Sequence, residues 1–185
     1  MTYKSISKDI IRSLKNFVKR RHTPLHIPFF TDDDARNVAK CVRSSYVSSV
    51  SKQTKLFEEK IKKFTKSNYV IATINGTAAI QIAIKACGIK ENDEILIPNL
   101  NYIGSSNASI YCNAIPHFVD VENEAFGVDV KKLDKYLNET TIKKNKLLIN
   151  RKTKRPIKAI MPTHVFGNTS NILEVVKLGK KYNLK

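Results

Sequence analysis

A glycine-containing turn is the part of the sequence best suited to bind an anion. Residues 69–74 are rich in β-branched and aromatic side chains, which predicts a strand. Asn75-Gly76 ends this run, and apolar residues at helical spacing follow. Gly76 permits a positive φ and close backbone approach, while the free N–H groups from Thr77 onward carry the positive end of the helix dipole. The turn therefore predicts a phosphate or carboxylate site, although many turns of this kind bind only water.

Two further loops follow predicted strands. Residues 94–97 form a short apolar run, and the polar loop after it contains Tyr102. Residues 157–161 are also strand-like, and His164 lies in the loop that follows. Because ligands gather outside the carboxyl ends of parallel strands, the three loops are expected to share one site. His164 is also explained as a histidine packed at a strand end.

Ser48 and Ser49 lie in a hydroxyl-rich stretch between two helical patterns. Their side chains could bind a ligand phosphate, so we name them as candidate substrate-binding residues, but a plain connecting loop is the simpler interpretation. The sequence contains no G-x-G-x-x-G, no phosphate-binding P-loop motif and no paired His or Cys spacing typical of a metal site. We therefore predict no metal.

The order of predicted elements indicates an α/β fold. Helices are predicted at 6–18, 31–44, 56–64, 78–86, the second half of 99–113, 129–137 and 172–178, and strands at 69–74, 94–97, 115–121 and 157–161. Residues 138–156 are interpreted as a basic polar excursion and residues 22–30 as an extended segment. Alternation of strands and helices implies a mostly parallel sheet with helices on both faces. The predicted organisation is an N-terminal helix and arm, 1–30, followed by a domain, 31–185.

Composition narrows the class of protein. The 185 residues are 42% hydrophobic and 26% charged, which fits a globular chain with one core. The 33 Lys and Arg against 16 Asp and Glu give a net charge of +17, which raises a nucleic-acid partner as an alternative. The basic residues are spread along the chain and are mostly lysine, so we favour a solvated surface that attracts an anionic substrate.

The sequence predicts a cytoplasmic protein without a membrane partner. No apolar run approaches the ~20 residues that a membrane span needs. The N-terminal helical pattern is interrupted by charges and is interpreted as a packing element, neither a secretory signal nor a membrane-binding helix. Three widely spaced cysteines, Cys41, Cys87 and Cys112, indicate reduced thiols.

Five segments in order resemble the DegT/DnrJ/EryC1/StrS sugar aminotransferases, which are fold type I enzymes that use pyridoxal phosphate. The segments are NGTAAIQIAI (75–84), NDEILIPNLNYIGSSNA (92–108), IPHFVDV (115–121), FGVD (126–129) and IKAIMPTHVFG (157–167). The resemblance runs from about His26 to the last residue and implies the N-terminal part of the large domain. It also implies a homodimer with active sites between subunits, a nucleotide-sugar substrate and L-glutamate as amino donor. HIPFF, YVSSVS and NRKTKRPIKAIMPTHVFG are similar to the branch that aminates nucleotide-linked 4-keto-6-deoxy-N-acetylhexosamines in legionaminic acid and bacillosamine pathways.

The resemblance assigns roles to particular residues. Gly76 and Thr77 would bind the cofactor phosphate, and Tyr102 would stack on the pyridine ring. Asn101 stands where the family commonly has threonine and Gly104 where it has alanine, and we expect both changes to leave stacking intact.

The same resemblance bears on three side chains further along. His164 is similar to the family's histidine before a glycine, and we name it as a third candidate substrate-binding residue beside Ser48 and Ser49. Asp120 and Asp129 match recurrent family acids, but we interpret both as local turn and cap residues.

The family's reacting groups are not recognised in this sequence. Amino transfer needs a Schiff-base lysine and an acid that pairs with the pyridinium nitrogen. In the family the acid occurs in an EDAA-like motif and the lysine in an S-x-x-K-like motif before a glycine-rich stretch. None of the lysines in the 185 residues has that full context, and no EDAA-like motif is present. The chain is thus expected to be truncated before that lysine and inactive alone. A catalytically dead sugar-nucleotide-binding or regulatory subunit remains an alternative, as does a basic nucleic-acid-binding domain.

Overall fold

The structure, a computed structural model, describes residues 3–18, 24 and 27–185 in two compact units. Unit 1 is 1–70 and unit 2 is 71–185. The predicted domain boundary at residue 30 stays a prediction. In the extended segment 22–30, residues 24 and 27–30 have no regular secondary structure, and the other four lie outside the described residues.

Unit 1 contains three helices: α1 (Tyr3–Phe17), α2 (Asp32–Arg43) and α3 (Lys52–Thr65). The helix α2 starts at a capping box, in which Thr31 Oγ1 accepts the Asp34 N–H at 3.3 Å and Asp34 Oδ2 accepts the Thr31 N–H at 2.7 Å. All three predicted helices of this unit are confirmed, and the capping box at Thr31 explains why the start of α2 could be predicted.

Unit 2 is an α/β unit, as predicted. Its elements are α4 (Gly76–Ala86), β1 (Glu94–Pro98), α5 (Gly104–Tyr111), β2 (Ile115–Val119), α6 (Val130–Thr140), β3 (Thr141–Lys144), β4 (Leu147–Asn150), β5 (Pro156–Ile160), a 3₁₀ turn (Val165–Gly167) and α7 (Ile172–Tyr182). The sheet order is β2-β1-β5-β4-β3. Strand β1 lies between β2 and β5 and is parallel to both, while the β3–β4 hairpin adds two antiparallel pairings at one edge.

The core of unit 2 lies on both faces of β1, because successive side chains of a strand point to opposite sides. Ile95 and Ile97 pack with Ile84 of α4 and Ala108 of α5 on one face. Leu96 packs on the other face in a cluster with residues of α6 and α7, among them Leu133, Leu137, Val175 and Leu178. The predicted arrangement of helices on both faces is therefore confirmed.

The predicted strand at 69–74 is wrong. These residues form no strand, and none of the five strands in the described part of the chain pairs with them. Tyr69, Ile71 and Ile74 are exposed, and an apolar run becomes a strand only when a neighbouring strand pairs with it. Gly76 does not use the positive φ that a glycine permits, because it is the first residue of α4.

The interpretation of 138–156 as a polar excursion is also wrong in part, because the segment contains the β3–β4 hairpin. Asn145 and Lys146 form its two-residue turn with φ of 50° and 63°, a mirror-image turn that matches the twist of the flanking strands. Leu148 and Asn150 are buried on β4, which holds the hairpin against the sheet. The asparagine in the turn was the available signal, but without a glycine beside it the hairpin signal is weak.

The described residues lack two features. They include no helix that is both long and apolar enough to cross a bilayer. They also include no group of three or more His, Cys, Asp or Glu side chains that could hold a metal ion.

Candidate functional site

The N-terminus of α4 presents two unoccupied backbone donors. Asn75 caps the helix, since its Oδ1 accepts the Ala78 N–H at 2.8 Å and its carbonyl oxygen accepts the Ala79 N–H at 3.1 Å. Within the described part of the chain, the N–H groups of Gly76 and Thr77 have no acceptor. Apart from Gly76, its two chain neighbours and the adjoining backbone of α4, no described atom lies within 4 Å of the place that a Cβ on Gly76 would take, so an anion could approach the backbone closely.

The loop between β1 and α5 presents an aromatic ring. The side-chain amide of Asn101 donates to the carbonyl oxygen of Pro98, and the Asn99 N–H donates to the Val119 carbonyl oxygen at 3.0 Å. These bonds hold the loop at the carboxyl end of β1. The Tyr102 side chain that follows is 79% exposed, which leaves it available to a planar ligand.

Gly104 is the point where the predicted residues meet. A Cβ built on Gly104 would lie 2.8 Å from Thr77 Oγ1 and 3.3 Å from Tyr102 Cδ1. The Thr77 hydroxyl and the Tyr102 ring therefore flank the same backbone position. An alanine there would require the Thr77 side chain to move. The glycine at this position therefore affects the placement of its neighbours more than the sequence indicated. Small residues along α5, including the buried Ser105 and Ala108, are compatible with its close packing against α4.

His164 lies at the end of β5, which is beside β1, but its contacts are local. Its Nδ1 accepts the Ser170 N–H at 3.1 Å, and the Ser170 hydroxyl donates to the Thr163 carbonyl oxygen at 2.9 Å. The imidazole is exposed and is not packed in a core. No contact in the described residues joins His164 to Tyr102. The histidine therefore stabilises the turn before α7.

The two candidate serines belong to unit 1. Ser48 and Ser49 are exposed in the loop between α2 and α3, as the loop interpretation predicted. The carbonyl oxygen of Ser48 accepts the N–H of Ser51, the N-cap residue of α3, at 3.1 Å. A role for either hydroxyl in substrate binding stays a prediction.

Asp120 and Asp129 have the local roles that the sequence indicated. Asp129 caps α6, because its Oδ1 accepts the Lys132 N–H at 3.0 Å. Asp120 Oδ2 lies 2.9 Å from Lys132 Nζ, and this hydrogen bond lowers the pKa of the Asp120 carboxyl. Both carboxylates therefore stabilise the turn into α6.

The sequence did not predict the buried carboxylate of Glu94, which lies at the amino end of β1. Glu94 is 1% exposed, and its Oε2 lies 2.6 Å from His117 Nδ1 and accepts from the Asn150 side chain at 2.9 Å. The Thr153 hydroxyl donates to Oε1, and His117 Nε2 lies 3.0 Å from the Tyr136 hydroxyl. This network joins β1, β2, β4 and α6 at the end of the sheet opposite Tyr102, so its role is structural. A glutamate opening an apolar run was the only sequence signal.

Environment decides the ionisation of Glu94. Burial would raise the pKa of its carboxyl, but the hydrogen bonds from Thr153, Asn150 and His117 outweigh that effect and lower the pKa below its ordinary value of 4.5. The folded chain therefore keeps a buried carboxylate in its charged form at neutral pH, which requires that its partners stay in place.

Comparison with solved structures defines the class of protein by its fold. A DegT DnrJ EryC1 StrS aminotransferase from Brucella abortus matches with a TM-score of 0.69 and 23% identity, over 86% of this chain and 42% of that one. NtdA from Bacillus subtilis, with bound cofactor PMP, matches with a TM-score of 0.68 and 22% identity, over 89% and 36%. The fold is thus that of the N-terminal part of a fold type I aminotransferase.

The chain belongs to the DegT/DnrJ/EryC1/StrS aminotransferase family, whose model matches residues 29–185. Aminotransferases of this family depend on pyridoxal phosphate. Among the relatives is the GDP-perosamine synthase of Escherichia coli O157:H7, which is 31% identical over 164 residues, covering 89% of this chain and 41% of that protein. The chain therefore spans about two fifths of the length of this relative.

Proposed function

We propose that this chain is the cofactor-docking part of a pyridoxal-phosphate-dependent nucleotide-sugar aminotransferase. One observation carries the proposal: the Thr77 hydroxyl and the Tyr102 ring flank Gly104 beside the two open N–H groups of α4. The N–H groups of Gly76 and Thr77 suit a phosphate, and the exposed ring suits a flat, electron-poor heterocycle. The residues present therefore fit the cofactor.

Each of these residues would bind or orient and none would react. Gly76 and Thr77 would hold the phosphate group, while Tyr102 would fix the plane of the ring. The bound cofactor supplies the electron sink that amino transfer needs. None of the lysines stands in an S-x-x-K-like motif before a glycine-rich stretch, as the family's lysine does. We therefore assign no catalytic residue here and propose that the 185 residues alone bind cofactor without transferring an amino group.

For the whole protein we propose a nucleotide-linked 4-keto-6-deoxy sugar as substrate and L-glutamate as amino donor, in surface polysaccharide or glycan synthesis in the cytoplasm. The name of the relative GDP-perosamine synthase favours a nucleotide-linked sugar, and the net charge of +17 favours an anionic substrate. The N-acetylhexosamine branch stays a prediction, as do the homodimer and sugar-nucleotide contacts from Ser48, Ser49 and His164.

Phosphate recognition is the property to test first. We expect pyridoxamine phosphate to bind at least about tenfold more tightly than pyridoxamine, since a charge-assisted hydrogen bond contributes about 1.5–3 kcal/mol. The Thr77→Val variant keeps the side-chain shape but lacks the hydroxyl, so it should weaken binding of the phosphorylated ligand alone. Calorimetric titration of both ligands against both chains measures this. Pyridoxamine phosphate carries an amine and so avoids adducts with surface lysines.

Two results would contradict the proposal. Equal affinity for the two ligands would mean that the phosphate is not recognised. An equal loss for both ligands in Thr77→Val would mean that the hydroxyl acts on general structure and does not bind phosphate.

A sugar-nucleotide-binding subunit without activity is a second candidate, favoured by the absence of the family's lysine context from these residues. It is supported if the chain binds a sugar nucleotide but not pyridoxamine phosphate. Copurification with a longer homologous chain would strengthen it further.

A further inference from the structure

The helix α1 carries an apolar face that nothing in the described part of the chain covers. Ile6, Ile10, Leu14 and Phe17 are between 43% and 89% exposed. At 3.6 residues per turn, these four side chains fall within an arc of about 80° on one side of the helix. None of the described side chains of α1 is buried. The amphipathic pattern predicts a packing element, yet no residue that the structure describes buries this face.

Positive charge lies on the side of α1 opposite the apolar face. Residues 1–21 contain seven Lys and Arg and a single acidic residue, Asp9. At the same helical spacing, Lys8, Arg12 and Lys15 fall within about 60° of one another on that side. A helix with an apolar face, a basic polar face and low overall hydrophobicity is the type that lies in the interfacial layer of a bilayer.

The position of α1 in the chain leaves it available for such a role. The family model matches residues 29–185, so α1 lies outside the range that the model matches. It is also too short and too charged to cross a bilayer. Contact with a second α1 would bring two basic stretches together, whereas anionic headgroups offer the opposite charge.

We propose that α1 binds the surface of an anionic membrane, with Ile10, Leu14 and Phe17 in the interfacial layer and the Lys and Arg side chains among the headgroups. This goes beyond the amino-transfer site and does not depend on it. It departs from the expectation of no membrane partner, because the apolar face is exposed in the folded chain.

The test uses the whole 185-residue chain with Phe17→Trp as a reporter, because the sequence contains no tryptophan. With vesicles of phosphatidylcholine containing about 30% phosphatidylserine, we expect cosedimentation and a blue shift of tryptophan emission. Binding should weaken at least about tenfold with pure phosphatidylcholine and again in salt near 1 M, where the Debye length is about 3 Å.

A matched pair of variants separates the contribution of the apolar face from the general effect of adding a negative charge to α1. Leu14→Glu places one negative charge within the apolar face, and Asn16→Glu places the same charge outside it, about 120° from the centre of the apolar arc. We expect Leu14→Glu to lower vesicle affinity at least about tenfold and Asn16→Glu by less than about threefold. Equal losses, or no binding by the parent chain, would overturn the proposal. So would a vesicle-free dimer, detected by light scattering, that Leu14→Glu dissociates, because a second copy would then occupy the face.

Discussion

Replacing Glu94 by alanine is expected to lower the free energy of unfolding by about 3–5 kcal/mol, the usual cost of removing one partner from a buried charged network. The change leaves His117, Asn150 and Thr153 without the carboxylate oxygens that they now contact. Each buried polar group left without a partner adds to the cost. Urea denaturation followed by circular dichroism measures the difference.

Two controls make the Glu94 result specific. Glu94→Gln keeps the shape and one acceptor, so we expect a smaller loss than for alanine. Glu91→Ala removes an exposed acid close by in the sequence and should change stability by less than about 0.5 kcal/mol. An alanine variant at position 94 that is as stable as the Glu91→Ala chain would show that the network does not stabilise the fold.

The same carboxylate sets a pH dependence. Because the pKa of Glu94 is lowered in the folded chain, its contribution is fully present above its ordinary pKa of 4.5 and is lost as the pH falls through the folded pKa. We expect Glu94→Gln to remove part of that loss of stability in acid. Parallel acid titrations of the two chains compare the slopes directly.

Replacing Tyr102 by alanine is expected to weaken pyridoxamine phosphate binding about tenfold or more. A stacked aromatic pair contributes about 0.5–1.5 kcal/mol beyond buried area, and the truncation also removes the ring's contact area. Tyr102→Phe keeps the ring and should bind nearly as well as the parent. Because the side chain is 79% exposed, stability should hardly change, so the loss belongs to binding.

Tyr111→Ala is the matched control, since Tyr111 is an exposed tyrosine at the other end of α5. Its affinity should equal that of the parent chain. If the two alanine variants lose affinity equally, or if neither loses any, Tyr102 is not the ring platform.

Helix positions could be predicted because their starts are fixed by neighbours in sequence. The reciprocal bonds of Thr31 with Asp34, and the caps at Asn75 and Asp129, each join residues three apart. The buried strand β1 could be predicted because a short, continuous apolar run that ends at a proline is typical of a strand buried on both faces of a parallel sheet. In the same way, the turn at Asn75-Gly76 was recognisable as a helix start.

The features that the sequence predicted wrongly or not at all depend on contacts between residues that are distant in sequence. Residues 69–74 have strand composition, but a strand needs a neighbour and the described chain supplies none at this place. The contacts of Glu94 with Asn150 and Thr153 join positions that no periodicity relates. The same holds for the meeting of Thr77 and Tyr102 at Gly104, which only the packing of α4 on α5 creates.

Backbone amide shifts measured by NMR during a titration with pyridoxamine phosphate test the cofactor-docking claim most directly. We expect the amides of Gly76 and Thr77 to shift most, because their N–H groups would receive the phosphate, with smaller shifts in the Tyr102–Gly104 loop. The same amides should stay unchanged on addition of pyridoxamine at equal concentration. Unchanged Gly76 and Thr77 signals, with shifts confined to the lysines of the β3–β4 hairpin, would contradict the claim and leave only diffuse attraction of an anion to a basic surface.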